Sequence, residues 1–340
     1  MLDSKSMNEE QLSTQALTAI RKSLPLNSWS KLADAIVSDR HRRQAHLAKP
    51  EPDRTWFGVL DQLRGNGFVK IPTMLPLEKV AEIRAHFDAH PVHKGPHVYS
   101  FDGRPKRMDE ARRDYSMAGY RFDQVMRAPN LIDTFNDPRL IDLIEAYFGC
   151  VPTLYSVNAW WSFPANRPEL IHSQHFHRDI DDWRFVTLFL YLTDVDGVGG
   201  PHQVISGSHT LDGMTSLVAK AKAAGREVGN FDPAESFVST AGEQFSLDCE
   251  RLFGDSIFNA TGAAGTMWLV NTMALHRGLV PTKSPRLIVW ARYGLGPSVN
   301  SIDTEQGPVA KRLIPTSLAD TPRNRFVNRL LFDFDRGPDY

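Results

Sequence analysis

The chain has 340 residues, of which 41% are hydrophobic, 10% aromatic and 23% charged, a globular mix that excludes a fibrous or wholly disordered protein. Its 39 Lys and Arg nearly balance 40 Asp and Glu, for a formal charge of −1, which argues against a polyanion-binding protein and against nucleic-acid partners. Two cysteines against 12 histidines exclude a disulfide framework, a Cys-rich zinc site and an iron–sulfur cluster, so any transition metal must be held by His and carboxylate.

Residues 1–50 read as helical and peripheral. Leu12, Ala16, Ala19 and Ile20 recur at helical spacing, as do Trp29, Leu32, Ala33 and Ile36. The run Arg40-His41-Arg42-Arg43 reads as a solvated helix face rather than a nucleic-acid patch. The opening MLDSKSMNEEQLSTQ lacks the apolar core of a secretory signal, and no stretch reaches membrane-spanning length. The expectation is a soluble, cytoplasmic protein without a membrane partner.

Pro50 and Pro52 suggest a boundary, making 1–55 an N-terminal extension. A helix is predicted over 54–64, ending near Gly65-Asn66-Gly67. A short strand follows at Phe68–Ile71, and Pro76 opens a helix through Ala89. Residues 91–117 show no clear periodicity. With Lys106, Arg107, Arg112, Arg113, Tyr115 and Arg121 in or beside them, they read either as a lid over an anionic or hydroxylated substrate or as an exposed loop. Pro138 starts another helix, stopped by Gly149.

From Val151 the texture changes to β-branched and aromatic runs. Strands are predicted at Thr153–Phe163, Ile171–His177, Arg184–Thr193, Val204-Ile205, Thr266–Val270 and Arg286–Tyr293, with an insertion at 211–262 that begins with a helix at 211–224. The fold class expected is mainly β, an antiparallel barrel or sandwich with flanking helices. Residues 56–300 form one domain in this reading, and 301–340 a tail packed on it.

The densest chemistry is Gln174-His175-Phe176-His177-Arg178-Asp179. In an extended segment His177 and Asp179 face one point, with His175 on the same parity. One more ligand would complete a two-His-one-carboxylate set with open positions. His276 follows the strand at 266–270, and Arg286 lies ten residues beyond it on a strand of its own. An Arg aimed into a barrel is costly unless it meets an anion, and its planar fork suits a carboxylate.

In these features the chain resembles the phytanoyl-CoA dioxygenase family of Fe(II)/2-oxoglutarate-dependent oxygenases. The resembling residues are Phe176–Asp179, Leu190–Asp194, Gly200-Pro201, Ser206-Gly207-Ser208-His209, His276-Arg277-Gly278 and Arg286, with Gly67–Pro72 resembling the family's opening. Coverage runs from about 56 to 295. The resemblance implies a double-stranded β-helix, or jelly-roll, of cupin-like type. It implies His177, Asp179 and His276 as iron ligands and Arg286 as the anchor for the distal carboxylate of 2-oxoglutarate. It places an aromatic contact to the cosubstrate at Tyr191. It also puts Asn158, Trp160 or Ser162 in play on the preceding strand, Trp160 first.

The implied reaction consumes 2-oxoglutarate and dioxygen, releases succinate and carbon dioxide, and hydroxylates an unactivated C–H of a small molecule. Iron halogenases of this fold carry a small residue at the carboxylate position, so Asp179 points to hydroxylation or a related oxidation. One departure is Gly278, where some members carry a hydroxyl that touches the cosubstrate; Thr282 or Ser284 are candidates to replace it.

Other polar residues have blander readings. His175 reads as packing and His209 as a turn residue, and His172 and His202 have no partner that the pattern names. Arg292, on the strand parity of Arg286, reads as a structural ion pair ahead of a cosubstrate or substrate contact. Asp181, Asp182 and Arg184 read equally as a salt-bridged loop or a polar substrate contact. Trp160 or Trp161 could form a substrate platform. The competing functions are a zinc-dependent hydrolase or lyase on the same three ligands and a metal-free jelly-roll binding protein.

Overall fold

The computed structural model describes residues 26–48, 54–95, 104–164, 172–179, 181–237, 242–295 and 317–335. The helix expected around Leu12–Ile20 and part of the candidate lid, 96–103, lie outside the described residues. The elements in chain order begin with helix α1 (Leu26–Arg43), α2 (Phe57–Asn66), strand β1 (Phe68–Ile71), α3 (Leu77–Ala89), β2 (His93–Lys94), α4 (Met108–Asp114) and β3 (Met117–Gly119). Three helices follow, α5 (Phe122–Met126), α6 (Leu131–Phe135) and α7 (Pro138–Phe148), then β4 (Thr153–Ser162), β5 (Phe185–Tyr191) and β6 (His202–Ile205). The remainder comprises α8 (Leu211–Ala223), α9 (Glu243–Phe253), β7 (Ile257–Ala260), β8 (Met267–Val270), β9 (His276–Gly278), β10 (Arg286–Gly294) and α10 (Pro322–Val327).

Helix ends follow local chemistry. At α7, Pro138 occupies the first turn, the Asp137 side chain accepts from the Arg139 amide, and Gly149 stops the helix at φ 83°. At α2, Gly67 adopts φ 81° and its N–H closes on the Leu63 carbonyl. A Cβ at Gly67 would also lie 2.6 Å from the His209 ring, so that position needs glycine twice over. His209 is thereby explained. It packs on Gly67 and its Nε2 hydrogen-bonds the Arg64 carbonyl, tying the Ser-Gly-Ser-His turn to the C-terminal end of α2.

Two antiparallel sheets form the jelly-roll, a seven-stranded one ordered β1-β8-β5-β10-β4-β3-β2 and a three-stranded one ordered β7-β6-β9. Side chains alternate across each strand. The outer face of the large sheet carries Val69, Leu269, Leu188, Leu190, Leu287, Val289, Val157 and Ala159. It packs in the main core against Leu60 and Leu63 of α2, Ile83 and Phe87 of α3, and Leu140 and Ile144 of α7. Val327, Leu331 and Phe332, in and after α10, join the same core. On the far side, Phe176, Ile205 and Leu275 pack against Met214, Leu217, Cys249 and Leu252 of α8 and α9. Between the sheets lies a smaller cluster, with Phe189, Tyr191, Trp268, Ile288 and Trp290 facing Val204 and Ala260.

Three expectations need correction. Helical residues outnumber strand residues among those described, so helices are a larger part of the architecture than "mainly β" suggests. Of the strand expected at Ile171–His177, the described residues, 172–177, form none. Residues 172–174 form a single 3-10 turn, and His177 makes only an isolated bridge to His276. His177 and Asp179 still face one point, each held by backbone bonds to the 272–276 segment. Third, the expected insertion at 211–262 is not wholly separate from the sheets. Its last residues form β7, which pairs with β6 through Val204↔Phe258 and Ile205↔Ile257.

Candidate metal centre

The segment His177–Asp179 lies antiparallel to Thr272–His276. His177 and His276 exchange both backbone hydrogen bonds at 3.0 Å, and the Asp179 N–H donates to the Thr272 carbonyl at 2.9 Å. This pairing sets the two imidazoles side by side, with centroids 4.2 Å apart. His177 Nε2 lies 3.6 Å from Asp179 Oδ1, and His276 Nε2 lies 3.8 Å from Asp179 Oδ2. One ligand atom from each of the three residues falls within 4.8 Å of the others, and His175 is not part of the group.

Each histidine is oriented in the same way. Nδ1 of His177 bonds the His175 carbonyl at 2.8 Å, and Nδ1 of His276 bonds the Ala274 carbonyl at 2.9 Å. A carbonyl can only accept, so each ring is protonated on Nδ1 and offers the Nε2 lone pair to the centre. The residue between the ligands faces away. Arg178 is buried and donates to the carbonyls of Ser208 at 2.6 Å, Ser236 at 2.9 Å and Met273, with its guanidinium 3.8 Å above the Phe237 ring. It locks the loops that carry the ligands.

Asp179 is braced by Arg292, whose Nη2 donates to Oδ2 at 2.8 Å; the same guanidinium pairs with Asp181. Burial works to raise the Asp179 pKa, but Arg292 first, then His276, His177 and the Thr272 hydroxyl, together hold it well below the usual carboxylate range. Asp181 is thus part of a salt-bridged network, and Arg184 pairs with Asp34 at 2.7 Å, which favours the structural reading for both. Lys106 pairs with Asp114 and Arg121 with Asp123 at 3.2 Å, so the described part of 91–121 carries surface ion pairs.

Arg286 opens β10 on the inner face. It is buried, and among the described residues it forms no salt bridge. Its Nη2 donates to Ser162 Oγ at 3.3 Å, while its Nε has no hydrogen-bond partner. A Cβ at Gly278 would sit 3.4 Å from Nη2, so the bare glycine leaves room beside the guanidinium. Burial lowers the Arg286 pKa, and the neighbouring Tyr191 opposes that shift. A buried cation lacking an acid is expensive unless an anion arrives.

Of the flanking candidates, Ser162 rather than Trp160 touches Arg286, because Ser162 is its direct partner across β4–β10. Trp160 lies one inward step further, edge-on to Trp290 at 5.9 Å, while Trp161 points outward and donates to Tyr120. Tyr191 faces inward with Arg286 nearby, but its hydroxyl is committed to the Ala260 carbonyl at 2.6 Å. Burial pushes that phenol up to about 12 against the pull of Arg286. Neither Thr282 nor Ser284 replaces the hydroxyl absent at Gly278: Thr282 bonds the Val198 carbonyl, and both are exposed. The pattern missed His202, whose ring stacks on His276. Its only sequence signal was parity with the Val204 strand.

Two neutral imidazoles and one carboxylate on one side of a centre form the facial set of non-haem iron oxygenases, and a buried arginine without an acid fits the free carboxylate of a 2-oxo dicarboxylate. The family model for phytanoyl-CoA dioxygenase (PhyH) matches residues 63–277, more than half of the chain. The protein belongs to that family and is an Fe(II)/2-oxoglutarate-dependent oxygenase, with iron, 2-oxoglutarate and dioxygen as cofactor and cosubstrates.

No curated protein matches the chain. Among solved structures, EctD from S. alaskensis with bound Fe is similar at 14% identity over 72% of this chain and 78% of that one, with a TM-score of 0.45. HygX from Streptomyces hygroscopicus, with nickel, 2-oxoglutarate and hygromycin B bound, is 13% identical over 71% and 86%, at 0.44. The epimerase SnoN in complex with Fe3+, alpha ketoglutarate and nogalamycin RO is 16% identical over 78% and 92%, at 0.44. No described helix is long and apolar enough to cross a membrane.

Proposed function

We propose that this oxygenase hydroxylates an unactivated C–H bond of a small polar molecule, with His177, Asp179 and His276 as iron ligands and Arg286 as the anchor for the distal carboxylate of 2-oxoglutarate. The observation that carries the reading is the pairing of a three-ligand cluster with a buried, acid-free arginine on the adjoining strand face. In the same reading 56–300 is one catalytic domain, with 1–55 an extension and 301–340 a tail.

Bound at the cluster, iron with 2-oxoglutarate and dioxygen supplies the C–H oxidation, which no side chain can perform. The chain's own residues do the positioning. The carbonyls of His175 and Ala274 fix both ring tautomers, and Arg292 fixes the rotation of the Asp179 carboxylate. Arg286 with Ser162 holds the cosubstrate carboxylate. Tyr191, with its hydroxyl tied to β7, serves as a wall rather than as a donor. Phe189, Ile288 and Trp290 keep the space between the sheets apolar, which limits water beside the centre.

Arg286 and Arg292 lie six residues apart, or about 20 Å along an extended strand, and Arg292 is the one that touches Asp179. Cosubstrate at the Arg286 end leaves the opposite end for substrate. Ser156 and Asn158 share the inner face there, with Trp160 one step nearer Arg286, all half-buried, which supports a polar substrate with Trp160 as a platform.

The test is anaerobic purification, loading with Fe(II) and 2-oxoglutarate, and measurement of succinate against hydroxylated product over a panel of amino acids, polyols and acyl chains. One-to-one succinate and alcohol is expected with a polar substrate. Hydrolysis supported by zinc, with no succinate and no effect of Arg286→Met, would install the zinc hydrolase instead.

A further inference from the structure

His202 has no part in the reading above. It opens β6, opposite Gly278 of β9 and Ala260 of β7. Residues directly opposed in an antiparallel pair point to the same face. Val204, two positions on, opposes His276 and packs between the sheets, so His202 also faces inward. Its ring stacks on His276 with centroids 5.1 Å and planes 23° apart, and it meets Phe189 at 4.5 Å.

His202 is only 8% exposed, and its Nε2 is buried with no hydrogen-bond partner among the described residues. Stacking on His276 puts the imidazole against the cluster, and its cross-strand partner Gly278 borders the Arg286 guanidinium. Yet it is not a fourth member of the metal-binding group. Gly278, its cross-strand neighbour, contributes no side chain, and that gap also borders Arg286 Nη2. Two buried nitrogens without partners, His202 Nε2 and Arg286 Nε, therefore occur in one region. Buried polar groups are rarely left so, and an oxygen-rich ligand would satisfy both.

We propose that His202 is a cosubstrate-binding residue whose Nε2–H donates to a carboxylate oxygen of 2-oxoglutarate. The inference rests on the assignment of Arg286 above. It means that the dicarboxylate is gripped from both sheets, by Arg286 and Ser162 on the large one and by His202 on the small one.

The experiment is an anaerobic calorimetric titration of 2-oxoglutarate into Fe(II)-loaded wild type, His202→Phe, His202→Gln and Arg286→Met, with Fe(II) affinity measured separately by chelator competition. A hydrogen bond to a charged group predicts roughly tenfold or greater weakening in His202→Phe. His202→Gln, which keeps a donor, should recover part of the loss, and Fe(II) affinity should stay within about twofold. Wild-type cosubstrate affinity in His202→Phe, or a loss matched by an equal loss of Fe(II) affinity, would overturn the proposal, the latter by showing a ring that only braces His276. Should His202→Phe not fold, His202→Leu replaces it, and equal affinities for the Leu and Gln variants refute the contact. If Arg286→Met binds as wild type does, the cosubstrate assignment itself fails; a weakened Arg286→Met beside an unaffected His202→Phe sinks only the present proposal.

Discussion

The two faces of β10 come from alternate residues of one strand. Leu287, Val289, Ala291 and Tyr293 point outward into the helix-covered core, while Arg286, Ile288, Trp290 and Arg292 point inward toward the ligand cluster. The outer face is apolar throughout and closes on itself. Among the described residues, the inner face holds a buried cation without an acid and, on β6, a buried imidazole nitrogen without a partner. One face stores folding energy; the other spends some of it to keep polar groups ready for a ligand.

The sharpest way to break this contrast is to remove an inner ligand. Asp179→Ala should reduce 2-oxoglutarate turnover to background in a succinate assay, because the cluster loses its only carboxylate and Arg292 loses one of its two acids. The matching change on the outer face is Leu188→Ala, at a fully buried core residue. It should cost about 2–5 kcal/mol in urea unfolding while the folded fraction keeps its KM for 2-oxoglutarate.

Arg286→Met should do the reverse, raising the KM for 2-oxoglutarate by roughly tenfold or more with no loss of unfolding free energy, since it removes a desolvated charge. A large loss of stability in that variant would show that the arginine is a structural element.

A pH titration sharpens the contrast at the junction of α2 and β1. Burial lowers the His209 pKa to about 4. The unfolded chain, with a His pKa near 6.5, binds this proton first, so stability should fall as pH drops from about 6.5 toward 4, by about 3 kcal/mol from this residue. His209→Gln should flatten that part of the unfolding curve; an unchanged slope would assign it elsewhere. The smallest effect is expected at Ser162→Ala, about a 2–10-fold rise in KM for 2-oxoglutarate from the loss of one hydrogen bond beside Arg286.

The local signals were legible where local physics governs. Pro138 and Gly149 bound α7 because one presets φ and the other takes a left-handed value. Phe68–Ile71 is a strand as its β-branched run suggests. The period-two facing of His177 and Asp179 survives even though the segment is not a strand, because extended backbone is enough to impose it. Helix α9 and the strands β7 and β9 were not foreseen, being short or lacking a clear apolar run.

By itself the sequence determined the donor types, two histidines and a carboxylate in a cysteine-poor chain, and the distant arginine whose charge demands an anion. Tertiary structure decided which groups meet. Cross-strand register, not sequence distance, set Ser162 rather than Trp160 beside Arg286, tied the Tyr191 hydroxyl to Ala260, and brought His202 onto the ring of His276. Strands far apart in sequence place their residues in contact only when the sheets close, and no pattern along the chain contains that register.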